Sequence, residues 1–526
     1  MKKRLLSMAL AFVMILTMVP TAFAGDKGIG DLMDLLPGNE AVNGAVLEIL
    51  NGGILGKEEE SLQEIMEVID KEYNKPHGTA GYVAGENSYF VSLGDSTITG
   101  MGTGDAAYAN HGYKAKVPAS APYQVAQALG LEYEQLAMAG LRTTDLRYIL
   151  DAGFAADDYT INATKKLIDT YAGGIDKMRS DYAAELAKAD LIAVSIGSCH
   201  FTSFINAQLS GAIADLLNKE LESLLKGFLG GTIKKTLSQY VDLDNDRVYA
   251  MNWETYLGVE GAAQLAAALN ETKTKLMEEG IPESTPVNLV EVAGLDVPAS
   301  IKDRLVINVP VAQLMMDFME YFLYAYVTFI EDSEAAFNKI HEIAPNAELL
   351  VLSLYNPTDE LVLEMNGVQI PLGEYYGYMV KAMSLYFLDY AEATPNTSFV
   401  DVYNTESNAD KKMSDGTAYE MMDYLMSYAE TSSDFHATKA GNTYMKDQIL
   451  AALAPEAEGL LGDVNGDSLV DTLDAMLILR WDAELIDTDE LNLKMGDVNG
   501  DTLVDTLDAM LILRLDAELI DKLPAA

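Results

Sequence analysis

Cysteine is all but missing from this chain of 526 residues, and positive charge is scarce. With Cys199 alone, no disulfide forms within the chain. Lysine and arginine total 35 against 81 aspartates and glutamates, leaving a net charge of −46. That balance argues against nucleic acid as a partner, since phosphate backbones are held by clustered Lys and Arg. It suits a soluble secreted chain with cation sites. Histidine is rare too: His77, His111, His200, His341 and His436 are the whole supply for imidazole chemistry. Beyond the first 24 residues no apolar run reads as a membrane span. The nearest, residues 314–330, is short and carries Asp317 and Glu320.

At the N-terminus, Lys2, Lys3 and Arg4 precede the apolar stretch LLSMALAFVMILTMV, and Ala22-Phe23-Ala24 offers small residues for cleavage. Residues 1–24 therefore read as a secretory signal, leaving no membrane span after its removal. At the other end, residues 462–487 and 496–521 are two copies of one segment, differing only at Ser468/Thr502 and Trp481/Leu515. Each opens with acids at calcium-ligand spacing, and calcium takes six to eight oxygens from such a turning loop. Asp463, Asn465, Asp467, Asp471 and Asp474 hold the ligand positions, with the Leu469 carbonyl between them. Asp497, Asn499, Asp501, Asp505, Asp508 and the Leu503 carbonyl repeat the set. The EF-hand pattern has Gly at position 6 and Glu at position 12. Here Ser468 or Thr502 stands at the first and Asp at the second.

An apolar helical run, LDAMLILR, follows each loop. Loop plus helix, twice, resembles a type I dockerin, the module that plugs cellulosomal enzymes into cohesin domains. The resemblance implies two calcium ions and a cohesin domain of a scaffoldin as partner. It also implies that cohesin is read by Thr472, Leu473, Leu479 and Arg480, and equally by Thr506, Leu507, Leu513 and Arg514. Two identical sets imply docking in either of two orientations.

Between residues 85 and 455, strand-like runs alternate with helical patterns, the mark of a parallel sheet flanked by helices. Strands are expected at 89–93, 135–138, 191–196, 348–354 and 398–402. In such sheets chemistry gathers in loops at the strands' carboxyl ends. After the first comes Gly94-Asp95-Ser96-Thr97-Ile98-Thr99-Gly100, and after the second Ala139-Gly140-Leu141-Arg142-Thr143-Thr144-Asp145-Leu146. After the third comes Gly197-Ser198-Cys199-His200, and before the last helix Asp434-Phe435-His436.

These blocks, in this order, resemble the SGNH/GDSL hydrolases. The resemblance implies a flavodoxin-like three-layer α/β fold and a serine esterase mechanism without a catalytic cofactor. Ser96 would be the nucleophile, His436 the base and then the acid, and Asp434 the orienting carboxylate. The backbone N–H groups of Ser96 and Gly140 would hold the oxyanion. In the third block the family has Gly-x-Asn-Asp, whereas here Cys199 stands at the Asn position and His200 at the Asp position. A thiol is a weak donor, so a slow site, a contribution from His200, or a loss of catalysis all follow as alternatives.

The expected organisation is a signal at 1–24, an N-terminal helical segment at 25–80, and a hydrolase domain at 81–455 with a helical insert at 202–340. A linker at 456–461 leads to a small all-α calcium-binding dockerin at 462–526. The insert reads as a helical subdomain or as a lid over an acyl pocket. The expected substrate is an acyl ester, favoured as an acetyl or other ester of plant-wall polysaccharide. A lipase of the same mechanism and a non-catalytic binding module are the alternatives.

Overall fold

The computed structural model describes residues 58–75, 82, 88–154, 163–224, 235, 249–278, 282–288, 306–357, 362–365, 368–370, 372–408, 418–420, 435–453, 460–466, 469–483, 485–486, 491–500, 503–517, 519–520 and 522–524. The signal expected at 1–24 lies outside them, as do Asp434, Asp467, Ser468, Asp501 and Thr502. The described residues fall into two compact units: the first takes those up to Tyr73 and from Ala84 to Leu450, the second those within Asn74–Val83 and from Ala451 onward.

In the first unit, helix α1 (Glu58–Tyr73) precedes strand β1 (Tyr89–Gly94), α2 (Ala121–Leu129), β2 (Glu132–Gln135) and α3 (Thr143–Leu150). Next come α4 (Ala163–Leu167), which runs into the π-helical turn Ile168–Ala172, α5 (Ile175–Leu186), β3 (Leu191–Ser195) and α6 (Ser198–Leu224). Then follow α7 (Trp253–Glu278), β4 (Thr285–Asn288), β5 (Val306–Val309), α8 (Val311–Ile343) and β6 (Glu348–Leu352). The unit continues through β7 (Val362–Met365), β8 (Val368–Ile370), α9 (Leu372–Ala393), β9 (Thr397–Val400) and β10 (Ala418–Glu420), and α10 (Lys439–Leu453) crosses its boundary. Helices α11 (Thr472–Asp482) and α12 (Thr506–Asp516) belong to the second unit.

Five strands make one parallel sheet in the order β2-β1-β3-β6-β9. Counted along the sheet this is the flavodoxin-like order, whose switch point falls between β1 and β3. Parallel strands buried on both faces become continuously apolar, and LIAVS and ELLVL of β3 and β6 are buried throughout. Val91, Leu93, Ile192, Val194, Leu349 and Val351 share one core with α3, α5, α8 and α9. On the other face Phe90 meets Tyr133, and Tyr123 of α2 sets its ring edge against Tyr133. Asn442 of α10 ties α2 down by accepting from the Ala121 N–H at 3.0 Å.

The second strand lies three residues earlier than its apolar stretch suggested. It is an edge strand, so Glu132 and Glu134 reach outward while Tyr133 and Gln135 are buried. The apolar residues beyond it are buried as loop, with the Leu136 and Met138 N–H groups donating to Ser92 and Gly94 carbonyls. Two small sheets were not foreseen: the β4-β5 hairpin and the group β10-β7-β8. Asn366-Gly367 between β7 and β8 is a hairpin signal in the sequence itself.

Part of the described residues between β3 and β6 belongs to the main core. The second half of α8 lies in the main core through Phe329, Ile330, Ala336, Phe337 and Ile340. Polar contacts of the buried Asp332 bolt this half to α3 and α7: Asp332 accepts from Thr144 and, at 2.8 Å, from Arg147 of α3, and from Tyr256 of α7 at 3.1 Å. Nor is α1 a loose preface, since Ile69 and Tyr73 enter the same core and Tyr73 donates to Asp401 at 2.6 Å.

His200, at the start of α6, is buried between two threonines, with Nδ1 at 2.6 Å from Thr143 Oγ1 and Nε2 at 2.8 Å from Thr328 Oγ1. Burial first, and Arg142 second, hold its pKa well below the usual histidine value. Below pH ~6.5 the unfolded chain takes a proton that the folded unit refuses, so stability falls as pH drops through that window. Denaturant midpoints at pH 7 and pH 5 should therefore fall for the native protein and fall less for His200→Gln; equal falls would contradict this.

Candidate functional site

The loops after β1 and β3 face each other at the switch point, and they cross with no spare volume. Gly94 has φ +125°, and a Cβ there would sit 1.8 Å from the Ser195 carbonyl oxygen. The next N–H, of Asp95, donates to that same oxygen at 2.9 Å. Asp95 is fully buried and accepts from the Thr97 N–H (2.9 Å), the Thr97 hydroxyl (2.7 Å) and the Cys199 N–H (3.3 Å). Burial raises its carboxyl above the usual range, while these donors and His436 pull the other way.

That clamp brings Ser96 Oγ to 3.8 Å from Cys199 Sγ. The backbone N–H groups of Gly140 and Ser96 are directed at the same sulfur. Three groups named from the sequence, Ser96, Gly140 and Cys199, thus converge on one point. Burial and the nearby Asp95 carboxylate push the Cys199 thiol up to about 12, so at neutral pH it is an S–H group and a poor nucleophile.

Gly140 is presented by the loop into α3. There Arg142 folds back on Asp145, with Nη2 2.9 Å from Oδ1 and Nε 3.1 Å from Oδ2, both side chains buried. The guanidinium lies over the Tyr249 ring, 4.0 Å from its centre. This pair is a rigid brace, and the Arg-x-x-Asp spacing was its only sequence signal.

His436 is buried and stands within electrostatic reach of Asp95, one residue from Ser96. Its loop is held on several sides: Asn408 N–H donates to the His436 carbonyl at 3.0 Å, and Asn408 Nδ2 to the Gly102 carbonyl at 2.9 Å. The Tyr355 hydroxyl donates to the Phe435 carbonyl. The structure therefore gathers Ser96, Gly140, Cys199 and His436, while Asp434 is outside the described residues. His200 is not among them: both ring nitrogens are engaged by threonines, so the alternative that it donates to an oxyanion falls. Sequence reasoning passed over Asp95 and Thr97, although both stand in the GDS block.

In the second unit the two copies build matching ends. Asp474 accepts from the N–H groups of Val464 (2.9 Å), Asn465 (3.1 Å) and Asp471 (3.0 Å), and Asp508 does the same for Val498, Asn499 and Asp505. Asp471 and Asp505 cap their helices through the Leu473 and Leu507 N–H groups. Asp463 is buried too, and takes the Gly466 N–H at 2.8 Å. Asp497 takes that of Gly500 at 2.7 Å. Among the described residues no group of three His, Cys, Asp or Glu side chains gathers as a metal site, and Asp467 and Asp501 lie outside that set. The donors nonetheless fit a hard cation: each loop offers oxygens alone, with a buried acid at its far end, Asp474 or Asp508, and in the first loop a buried Asp463 at the near end as well.

Helices α11 and α12 pack reciprocally, Thr472 donating to Asp516 (2.6 Å) and Thr506 to Asp482 (3.0 Å). Val464, Ala475 and Ile478 share a core with their counterparts Val498, Ala509 and Ile512. Leu473, Leu479, Arg480 and their counterparts Leu507, Leu513 and Arg514 are all exposed, as are Thr472 and Thr506. Met476, Leu485, Met510 and Leu519 extend the exposed apolar faces beyond the residues first singled out.

Residues 461–515 match the model of the dockerin type I domain, and the chain carries such a domain there. A domain of this class binds calcium and implies docking to a cohesin, and with it an extracellular, cellulosome-associated place. No helix among the described residues is long and apolar enough to cross a membrane. No curated protein matches the chain. Two solved structures are similar, the phospholipase A1 of Streptomyces albidoflavus NA297 and an extracellular lipase of Streptomyces rimosus. Each shows 13% identity over 70% of this chain and 100% of its own, with a TM-score of 0.29. At that degree of likeness neither bears on chemistry, which rests on the residues themselves.

Two outcomes follow. Cys199 keeps part of its surface accessible, so its resistance to alkylation reports protonation. Iodoacetamide at pH 8 should leave it unmodified in the folded protein and modify it fully in urea, as read by mass spectrometry; rapid native labelling would contradict the raised pKa. Calcium removal should melt the dockerin and leave the α/β unit folded, giving a chelator-sensitive and a chelator-insensitive thermal transition.

Proposed function

We propose that the α/β unit is a serine ester hydrolase of the SGNH type. The observation that carries this reading is the convergence of Ser96 Oγ, the Ser96 and Gly140 N–H groups and Cys199 at the switch point, with His436 beside the same loop. A serine hydroxyl becomes a nucleophile only when a base takes its proton. His436 takes it as Ser96 Oγ bonds the carbonyl carbon, and returns it to the leaving alkoxide. The Ser96 and Gly140 N–H groups hold the oxyanion, and the Cys199 S–H completes the ring of donors. Water then attacks the acyl-enzyme by the same proton route in reverse. Asp434, two residues before His436, is the carboxylate that orients the imidazole.

The dockerin favours plant-wall polysaccharide esters, acetyl esters first, and a secreted chain led by residues 1–24. Two calcium ions, one per loop, hold the docking faces in shape. The described insert residues give little support to a lipase lid, because the second half of α8 is buried in the core. One observation favours a second reading, a non-catalytic binding module: a thiol stands where a strong donor is wanted, and losing one such donor lowers kcat by about 10²–10³.

Acetate release from acetylated xylan, and hydrolysis of short and long p-nitrophenyl esters, test the reading. Ser96→Ala should lower kcat by roughly a thousandfold or more. Turnover confined to long esters would replace the polysaccharide substrate with a lipid. Equal rates for native protein and variant on every substrate would favour the binding module.

A further inference from the structure

Four tyrosines with described side chains lie on α9, and three have hydroxyls with acceptors. Tyr378 donates to Asp70 at 2.9 Å, Tyr386 to Glu334 at 2.8 Å and Tyr390 to Asn338 at 2.9 Å. Tyr376 differs: its hydroxyl makes no hydrogen bond among the described residues, and its side chain is half-buried. A half-buried phenol without such an acceptor can turn its O–H toward a bound molecule.

The backbone places that phenol firmly. Asn356, in the loop after β6, is buried and donates from Nδ2 to the Gly373 carbonyl at 2.9 Å. Its N–H donates to the Tyr403 carbonyl, in the loop after β9, at 3.3 Å. Gly377 follows Tyr376, and a Cβ there would fall 2.4 Å from Tyr403 Oη and 2.9 Å from Asn356 Nδ2. Farther along, Ser384 Oγ accepts from the Leu354 N–H at 3.0 Å, and Lys381 pairs with Asp70 of α1 at 2.6 Å. The first turns of α9 are thus pinned over the carboxyl ends of β6 and β9, at the end of the sheet that carries Ser96 and Cys199. From there Tyr376 stands within electrostatic reach of Asp95 and Cys199.

Resting on the hydrolase reading, we infer that the Tyr376 hydroxyl is a further hydrogen-bond donor to the substrate oxygen held at Ser96, supplying what the Cys199 thiol delivers weakly. A neutral O–H donates far better than S–H. Burial first, then the Asp95 carboxylate, raises the phenol above its ordinary value, so it keeps its proton throughout the working range. Tyr376 lies more than 170 residues beyond Cys199 in the chain, in a segment that none of the recognised motifs reaches.

The test is a two-by-two comparison: native protein, Tyr376→Phe, Cys199→Asn and the double variant. Two readouts are taken, the rate of labelling by a fluorophosphonate and kcat and KM on p-nitrophenyl acetate. In the labelling step Ser96 Oγ bonds phosphorus, fluoride leaves, and the serine proton passes to His436. Tyr376→Phe should slow labelling and kcat by about a hundredfold, the worth of one oxyanion donor, with KM and melting temperature little changed. In the Cys199→Asn background the amide supplies a donor, and the same substitution should cost under about threefold. Unchanged rates in Tyr376→Phe would overturn the assignment, and an equal loss in both backgrounds would overturn its dependence on the thiol. If the native protein neither labels nor turns over, the hydrolase reading itself fails and takes this inference with it; labelling at Ser96 that ignores Tyr376 leaves that reading standing.

Discussion

One buried carboxylate holds the candidate site together. Asp95 accepts three hydrogen bonds, two from Thr97 and one from the Cys199 N–H. It thereby joins the loop after β1 to the loop after β3, at the place where the sheet's strand order reverses. An unpartnered buried carboxylate would be strongly unfavourable; one with three donors instead fixes the positions of everything that supplies them. Ser96 follows it directly, and Cys199 supplies one of those donors. His436 stands in its field. Gly94 makes the arrangement possible because no side chain fits against the Ser195 carbonyl there.

The second layer of support comes from far along the chain. The Arg142–Asp145 pair braces the loop that presents Gly140, and α8 braces α3 in turn through Asp332 and the Thr328 contact to His200. Residues 202–340, which read as a helical subdomain or a lid, thus include part of the scaffold under the candidate site. The dockerin follows the same physics on a smaller scale. Asp474 and Asp508 each gather three backbone N–H groups, so a buried acid organises the loop from its far end. The repeat of the arrangement accounts for two equivalent exposed faces on one small core.

Much of this was legible in the sequence where one residue type answers one physical demand. The core strands β1, β3, β6 and β9 announced themselves as apolar runs because both their faces are buried. β2 was displaced because an edge strand alternates, and its EYEQ looked polar while the buried loop after it looked like a strand. Ser96, Gly140 and His436 stand in short blocks, each local in the chain, so they could be singled out as candidates before the fold brought them near one another. Tyr376 and Asp332 were not, because their positions depend on how long helices pack across the sheet. The small sheet of β7, β8 and β10 was missed although Asn366-Gly367 is a turn signal in the sequence. In the dockerin, register between copies made candidate ligands and candidate recognition residues readable together, while the exposure of Met476 and Leu485 needed the surface to be seen.

The central claim is that a substrate oxygen at Ser96 lies among the Ser96 and Gly140 N–H groups. A crystal structure of the protein inactivated by a phosphonate tests it most directly. The account predicts phosphorus bonded to Ser96 Oγ, with one phosphonyl oxygen within hydrogen-bond distance of both N–H groups and His436 facing the leaving-group side. An adduct on another residue, or a Ser96 adduct whose oxygen points to solvent with Gly140 turned away, would contradict it.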